Sequence, residues 1–364
     1  MHPHINLEAL KRQLRDGWLP LPESIIPPPR DANFLWRTLP EPRSSSKTLL
    51  DTLQDAVASS SKSMTGKVGL WLSGGFDSST LLVLLCDIYG AENVVAYHLD
   101  CGYEDEIERV KLIANSMDVK LKWNSFTVED HLGLLSDAVL YLRMPTDLTT
   151  QNLYIARMCL KDGIRTAYTA LGLDEIQGGY IEHVRASEDE FEQVEARLLD
   201  RGRSHMAWFM STLARGLDLK HPYLDKNLVA YSRSLPRNAK CRGMETKVLI
   251  RELMKDKMPK EIVEAGRKAL SKRGFLPLIE EWWNQGLGKW VDEMIPLIPD
   301  YVETPTARSV YKSKIGKTWW RPKIACSYLK KMLTRRVYTP YWIKHRLATV
   351  PIFLDHLESG RYNS

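Results

Sequence analysis

The sequence has few of the features that mark membrane, secreted or metal-framework proteins. No apolar run approaches the roughly 18 residues that a membrane span needs. The first residues, 1–6, have neither the basic start nor the apolar core of a signal peptide. The five cysteines are scattered and none forms a Cys-x-x-Cys pair, so no zinc ribbon or disulfide framework is indicated. These absences predict a protein of the reducing cytoplasm that does not interact with membranes.

A large excess of charge is missing as well. Lysine and arginine exceed aspartate and glutamate by only six in 364 residues, which argues against nucleic acid as a partner. A hydrophobic fraction of 44% and a charged fraction of 26% are typical of globular proteins. The length allows two or three domains.

What the chain does have is one strongly patterned stretch, Val68–Leu85. The apolar segment Val68–Leu72 is interrupted by Ser73, Gly74 and Gly75 and is followed by a long second apolar segment. This pattern is typical of a buried parallel strand, a tight turn and a helix that packs back on the sheet. Because free N–H groups and a positive dipole mark the start of that helix, we predict a phosphate-binding loop.

This first loop lacks the lysine of a Walker loop and carries an acid, Asp77, instead. An acid inside an anion site indicates magnesium, which binds carboxylate and phosphate oxygens together. The hydroxyl groups of Ser73, Ser78 and Ser79 add hydrogen-bond donors. The alternative is an ordinary strand–turn–helix in which Asp77 or a serine caps the helix.

Three further segments indicate the fold class. Asn93–Asp100 is predicted to be a second strand, Glu104–Met117 an amphipathic helix and Val119–Phe126 a third strand. Strand–helix–strand units at this spacing form parallel sheets, so we predict an α/β fold with a doubly wound, mainly parallel sheet. A ligand would then lie at the carboxyl ends of the strands.

A second loop follows the predicted strand Ile164–Leu171. Gly172 comes before two acids, Asp174 and Glu175, and the acids come before paired glycines. We predict that Asp174 lies beside Asp77, where the two carboxylates hold magnesium on a triphosphate. The alternative is a turn whose aspartate caps a helix.

The two loops resemble the synthetase domain of the asparagine synthetases, which are N-type ATP pyrophosphatases, or PP-loop proteins. The first loop is similar to their Ser-Gly-Gly-x-Asp-Ser-Ser loop, and the second to their Gly-x-Asp-Glu-x-x-Gly-Gly-Tyr segment. β-Lactam synthetases and lasso-peptide cyclases are related to the same family. Further matches follow in order, over roughly residues 47–280, at Gly216–Asp225, Lys247–Arg251, Met258–Ile262 and Lys272–Pro277.

The resemblance implies an adenine nucleotide α-hydrolase-like fold and a ligase that uses ATP and Mg²⁺. Such a ligase adenylates a small-molecule or peptide carboxylate, releases pyrophosphate, and passes the acyl group to ammonia or an amine. Lys272 is implied as the active-site lysine, with Lys268 as the fallback, although a solvated basic run is the alternative there. Glu106 stands where the family has an acid. Catalytic roles are implied for Lys272, Glu175 and Asp77, magnesium binding for Asp77 and Asp174, and ATP binding for Leu72, Ser73, Gly74, Gly75, Asp77, Ser78, Ser79, His98 and Gly172.

Leu171 departs from the asparagine synthetases, which have glutamate at that position. A leucine side chain cannot take a proton from ammonia or an amine. The departure argues against asparagine synthesis itself and favours a substrate amine, as in relatives that form lactams or peptide macrocycles. Glu175, Tyr180 and Glu182 stay open as candidates for the base.

The glutamine-hydrolysing domain of the asparagine synthetases is not expected here. His2 stands where that domain has its cysteine, and the roughly 45 residues before the match are too few for a domain. We therefore expect a separate amidotransferase or other biosynthetic partner as one possible ammonia source. The predicted organisation is an extension at 1–46, the ATP pyrophosphatase domain at 47–280, and a helical, basic, tryptophan-rich extension at 281–364. We expect those tryptophans to form a helical core and not a binding surface.

Two other functions stay open. RNA modification, such as base thiolation, is disfavoured because paired thiolation cysteines are absent from the sequence. A non-catalytic nucleotide-binding homologue is compatible with Leu171, although the first loop and both acids are intact.

Overall fold

The computed structural model describes residues 6–16, 39–60, 66–102, 106–146, 150–201, 206–266, 281–299, 302 and 341–363. The chain divides into two compact units. The sheet unit comprises Asn33–Phe126 and Gln151–Gly274, and the terminal unit comprises Met1–Ala32, Thr127–Thr150 and Phe275–Ser364. Both predicted loops belong to the sheet unit. The domain boundaries inferred from the sequence, at residues 46 and 280, stay predictions.

A five-stranded sheet forms the centre of the sheet unit, in the order β3-β2-β1-β4-β5. Every neighbouring pair in it is parallel. The chain starts in the middle and winds to one edge and then to the other, which confirms the predicted doubly wound α/β class. The strands are β1 Val68–Trp71, β2 Val94–Asp100, β3 Lys120–Ser125, β4 Thr166–Tyr168 and β5 Asp218–Lys220, and an antiparallel pair is formed by β6 Cys241–Arg242 and β7 Glu245–Thr246.

Helices fill the connections, and the predicted helix Glu104–Met117 is present as Glu106–Ser116. The predicted strand 164–171 is too long, because only three of its residues pair with the short β5 and only two pair with β1 before the chain turns into the second loop. The helices are α1 Leu7–Asp16, α2 Leu49–Ser59, α3 Phe76–Tyr89, α4 Glu106–Ser116, α5 Val128–Leu142, α6 Thr150–Lys161, α7 Leu173–Ile176, α8 Ile181–Arg185, α9 Glu188–Arg201, α10 Trp208–Leu213, α11 Lys226–Ser234, α12 Arg237–Lys240, α13 Val248–Met254, α14 Lys260–Glu264, α15 Gly288–Met294, α16 Tyr341–Ala348 and α17 Val350–Glu358.

The main core lies around α3 and β1. All four residues of β1 are buried, and the apolar run Leu81–Leu85 in α3 is at most 2% exposed. A helix that is apolar on every side is buried on every side, and here α2 and α14 pack against α3. A capping box starts α2, in which Thr48 Oγ1 accepts from Asp51 N and Asp51 Oδ2 accepts from Thr48 N. This core fixes the turn from β1 to α3, on which the first loop depends.

The terminal unit joins helices from both ends of the chain. Arg346 on α16 donates to the main-chain oxygens of Gln13 and Leu14 at 3.3 and 3.2 Å. Trp282 is buried, and its ring lies 5.3 Å from that of His131 on α5. The predicted helical character of the C-terminal region is thus confirmed in its described part, where this tryptophan belongs to a core.

Trp283 and Trp290 are partly buried, and the ring of Trp290 lies 5.8 Å from that of His345. Trp319 and Trp320 lie outside the described residues. Within the described ranges, no helix combines the length and apolar character that a membrane crossing needs.

Candidate active site

The first loop is pressed against the start of α4. β1 ends at Trp71 and α3 begins at Phe76, which leaves four residues for the turn. Gly74 has φ +68°, and a Cβ on it would lie 3.0 Å from both Glu106 O and Val110 N. Only glycine combines this left-handed backbone with such close approach. The predicted Glu106 therefore meets the loop through its main chain.

Hydrogen bonds among serines shape this loop. The buried Ser78 Oγ accepts from Ser73 N at 3.1 Å and donates to Gly75 O at 3.2 Å. Ser73 Oγ lies 3.1 Å from Ser78 Oγ, and its residue is exposed. Ser79 is buried, and its hydroxyl has no hydrogen-bond partner in the described part of the chain. Ser78 thus organises the turn, while Ser73 faces solvent where an anion would arrive.

The two residues implied for the adenosine pocket meet where β1 and β2 end. Leu72 N donates to Tyr97 O at 2.8 Å, and Leu72 O accepts from Nδ1 of His98 at 2.9 Å. Since a carbonyl oxygen only accepts, this contact assigns the imidazole proton to Nδ1. His98 is 3% exposed, and burial lowers its pKa. A neutral imidazole therefore fixes the carbonyl of Leu72 at the carboxyl edge of the sheet.

The second loop wraps around Asp174. β4 ends at Tyr168, and Gly172 immediately precedes the short helix α7, whose first turn carries Asp174 and Glu175. Gly179 N donates to Asp174 O at 2.8 Å. A Cβ on Gly179 would lie 1.9 Å from Asp174 Oδ1, so no side chain fits there. The paired glycines allow the loop to close over the carboxylate.

The acids of the two loops meet at a lysine. Lys247 Nζ forms ion pairs with Asp77 Oδ1 and, at 2.6 Å, with Asp174 Oδ1. The lysine side chain is 6% exposed, whereas the aspartates are 19% and 15% exposed. The prediction that Asp77 and Asp174 lie side by side agrees with this geometry. From the sequence, Lys247 has no role beyond its place in the matching segment Lys247–Arg251. A lysine directly before the apolar residues 248–250 is the one local feature that could have drawn attention to it.

The main chain holds Lys247 in place. Its φ of +59° and ψ of +37° put it in the left-handed region just before α13, and its N–H donates to Gln177 O at 3.2 Å. For a residue with a side chain this conformation costs on the order of 1 kcal/mol. One turn later, Arg251 donates to Thr246 O at 3.0 Å and stacks on the ring of Phe76 at 4.3 Å. The second loop and the start of α3 thereby position the lysine.

The charges of the site are strongly coupled. Burial lowers the pKa of Lys247, but Asp77 and Asp174 together raise the pKa by more, so the ammonium stays protonated. Burial, and then the charge of Asp174, raises the pKa of Glu175 to about 7. Tyr180 OH donates to Glu175 Oε1 at 2.9 Å, and burial and this carboxylate raise the pKa of the phenol. In this arrangement Tyr180 is a hydrogen-bond donor to Glu175.

The residues present fit magnesium only together with phosphate. No group of three or more His, Cys, Asp and Glu side chains suited to a metal ion occurs among the described residues. Asp77 and Asp174 supply two carboxylates that reach one cation, and magnesium takes its other ligands from phosphates and water. The loop of Ser73 and the start of α3 present the matching anion site.

The remaining predicted site residues are not part of the contacts described above. Lys272 and its fallback Lys268 lie outside the described residues, so the role of an active-site lysine stays a prediction. Leu171 is partly buried and packs against the main apolar core. Glu182, the third candidate base, is half-buried on α8.

Comparisons with known proteins point to one kind of relative. The family described as Asparagine synthase matches residues 48–211 and 205–327. The asparagine synthetase [glutamine-hydrolyzing] of Cricetulus griseus is 27% identical over 308 residues, covering 76% of this chain and 51% of that protein. The putative asparagine synthetase [glutamine-hydrolyzing] 1 of Methanocaldococcus jannaschii is 25% identical over 183 residues, covering 47% of this chain and 33% of that protein. The chain thus spans about half of the length of the first of these curated relatives and about a third of the second.

Among solved structures, the U34-tRNA thiolase NcsA from Methanococcus maripaludis with its [4Fe-4S] cluster aligns with this chain. The alignment covers 64% of this chain and 88% of the thiolase, with 14% identity and a TM-score of 0.30. We draw nothing from a superposition at that score.

Proposed function

The chain belongs to the asparagine synthase family, and on that premise we propose that it is an ATP-dependent, AMP-forming carbon–nitrogen ligase. It adenylates a carboxylate with release of pyrophosphate and transfers the acyl group to ammonia or an amine with release of AMP. One observation carries the proposal: Asp77 of the phosphate loop and Asp174 of the second loop converge on a single cation, Lys247. A phosphate loop alone would bind nucleotide, whereas two acids beside it provide for cleavage of a triphosphate.

The residues around this point divide the work. Ser73 and the first N–H groups of α3 bind phosphate oxygens. Asp77 and Asp174 hold Mg²⁺, which when bound offsets the charge that develops on the leaving pyrophosphate. Lys247 adds a buried positive charge beside the phosphates, where it offsets negative charge more strongly than it would in water. His98 fixes the carbonyl of Leu72 beside the nucleotide.

The residues described here say less about the nucleophile than about the activation of the carboxylate. Leu171 presents no polar atom where the asparagine synthetases have glutamate, and this favours an amine carried by the substrate over free ammonia. Glu175 is then a candidate to receive a proton, and its carboxylate accepts a hydrogen bond from the hydroxyl of Tyr180. An intramolecular lactam or macrocycle synthesis is the second candidate function, and the same leucine favours it.

The test is release of AMP and pyrophosphate from ATP and magnesium in the presence of a carboxylate. Aspartate with and without ammonium comes first, followed by peptides and amino acids that carry both a carboxylate and an amine. We expect no product with aspartate and ammonium, and stoichiometric AMP and pyrophosphate with one class of amine-bearing carboxylate. Amide formation is detected by mass spectrometry, because the amide weighs one water less than the carboxylate and the amine together.

The outcomes separate the candidates. Product that depends on both aspartate and ammonium would show that asparagine-type chemistry does not need the family's glutamate. A product that weighs one water less than the substrate, formed without any added amine, would indicate the intramolecular reaction. ATP binding that depends on Asp77, without AMP release for any carboxylate class, would favour a non-catalytic nucleotide-binding homologue and contradict the proposal.

A further inference from the structure

The ammonium of Lys247 stands where the two metal-binding carboxylates face each other. It contacts one oxygen of Asp77 and one of Asp174, so both oxygens are within reach of a single cation. A divalent ion that used these oxygens would meet a positive charge at short range. Like charges at such distances repel strongly in a partly buried site.

The lysine is built to stay between these acids. Its side chain is 6% exposed, its main chain is held in the left-handed region by the bond to Gln177 O, and it begins a helix that Arg251 clamps to Phe76. A surface lysine would move away at little cost, whereas this lysine leaves the carboxylates only for another anion. The phosphates of a nucleotide, bound at the adjacent loop, are such an anion.

We propose that Lys247 excludes divalent metal from the Asp77–Asp174 pair until phosphate binds, so that metal and nucleotide enter this site as one unit. The inference rests on the proposed function for the identity of the anion. When phosphate arrives, the ammonium turns from the carboxylates to the phosphate oxygens, and the carboxylates become free for the metal. Lys247 is therefore a positioning residue that couples the two ligands.

Coupling of this kind is reciprocal. If phosphate raises the affinity for metal by a given factor, metal raises the affinity for phosphate by the same factor. The site then rejects free metal ions and binds the metal–nucleotide complex. Without Lys247, free metal ions would occupy Asp77 and Asp174 before any nucleotide binds.

The experiment measures binding of Mn²⁺, a stand-in for Mg²⁺, to the full chain without any nucleotide. Free Mn²⁺ is followed by its room-temperature paramagnetic resonance signal, which bound ions lose. We expect weak binding by the wild type and at least tenfold tighter binding by Lys247→Met, because the ammonium is gone and the acids remain. Lys247→Arg, which keeps the charge, should bind as weakly as the wild type.

The matched control is Lys247→Met combined with Asp174→Asn, which should lose the gained affinity. Equal Mn²⁺ affinity of the wild type and Lys247→Met would overturn the proposal. Tight, Asp174-dependent binding of Mn²⁺ by the wild type in the absence of nucleotide would overturn it as well.

A second measurement does without Lys247→Met, in case that variant does not fold. Retention of Mn²⁺ is measured by equilibrium dialysis with and without inorganic pyrophosphate, and Asp174→Asn corrects for metal carried by pyrophosphate itself. We expect pyrophosphate to tighten Asp174-dependent retention at least tenfold. Retention that is indifferent to pyrophosphate would contradict the coupling.

These readouts need no turnover, so the two proposals fail separately. A chain that never forms AMP can still show the coupling between metal and pyrophosphate. A chain that forms AMP while Lys247→Met binds free Mn²⁺ no better than the wild type keeps its function and loses this inference.

Discussion

Two buried lysines, seven positions apart in the same unit, have opposite surroundings. Lys240 at the end of α12 forms an ion pair with Glu195 on α9, and the two side chains are 1% and 2% exposed. Arg233 lies 3.9 Å from the same carboxylate and also pairs with Glu192, so two cations meet two acids. Lys247 instead meets two acids, Asp77 and Asp174, that reach solvent. Around Lys240 the charges are balanced and sealed, whereas around Lys247 negative charge is in surplus and accessible.

The difference teaches how a structural ion pair differs from a site that binds cations. The ammonium of Lys240 also lies 5.7 Å from the centre of the Phe191 ring. The Cβ and main chain of Lys240 pack against Gly178 and so support the second loop. Among the described residues, the partners of this lysine, Glu195 and Phe191, are both buried. Around Lys247, by contrast, the two aspartates are partly exposed and the backbone of the lysine is left-handed. Both features are typical of a functional site.

The largest expected effect breaks the sealed pair. Lys240→Met leaves Glu195 buried with only the more distant Arg233, and we expect a loss of about 4 kcal/mol in the free energy of unfolding. Urea denaturation measures it. Lys247→Met should lose less, because Asp77 and Asp174 reach water. Lys240→Met combined with Glu195→Gln should recover most of the loss, and a single variant as stable as the wild type would show that the comparison is wrong.

The next effect addresses the accessible site. Asp77→Asn removes one of the two charges beside the phosphate loop, and we expect AMP release to fall by at least about 100-fold, or about 3 kcal/mol. The melting temperature should change little, because the aspartate is partly exposed. Pyrophosphate release at saturating ATP measures the change. Asp55→Asn, at an exposed ion pair with Lys47, is the control with no expected change, and full activity of Asp77→Asn would sink the assigned role.

Acid should weaken the sealed region. Burial, and then the charge of Lys240, lowers the pKa of His183 from 6.5 to about 4. The folded state therefore binds fewer protons than the unfolded state between these values, so the stabilisation is complete above the higher value and is lost as the pH falls. Between about pH 7.5 and pH 5 the loss is about 2 kcal/mol. Denaturation of the wild type and His183→Asn at both pH values isolates it, since asparagine keeps an acceptor for Tyr180 N without titrating.

If the two proteins lose stability in parallel over this range, His183 does not titrate as its surroundings indicate. The difference between the two slopes is the quantity that decides, because other groups titrate in both proteins.

The smallest predicted effect concerns the fit of the second loop. Gly179→Ala places a methyl group 1.9 Å from Asp174 Oδ1, so the carboxylate must shift. We expect AMP release to fall by about tenfold, or about 1.4 kcal/mol. Gly133→Ala on α5, where a Cβ meets nothing within 4 Å, serves as the control. Equal activity of the two alanine variants would mean that the position of Asp174 is not critical.

Much of the fold could be predicted from local patterns. The strand–loop–helix at Val68–Leu85, the parallel pairing of the strands and the helix after the second strand follow from apolar periodicity and from glycine at the turns. The strand predicted at 164–171 is wrong in length, because pairing ends where the neighbouring β5 ends, and no local pattern records the length of a neighbour.

The candidate site was predicted in part. Asp77 and Asp174 each follow a buried strand, so their proximity was visible from the rule that parallel strands end at one edge. The hydrogen bond from Tyr180 to Glu175 was not visible, because it depends on how the loop closes over Asp174. That closure is a matter of packing between Gly179 and the carboxylate.

The sequence by itself determined the local elements: a strand that ends in a glycine turn, acids at two loops, and a leucine where the relatives have glutamate. Each of these depends on neighbouring residues and on backbone geometry within a few positions. Only the tertiary structure decided that Lys247, 170 positions from Asp77, stands between the two acids, while Lys240 is sealed against Glu195. Contacts at that separation follow from the closing of the whole chain around its core, which fixes which lysine meets which carboxylate.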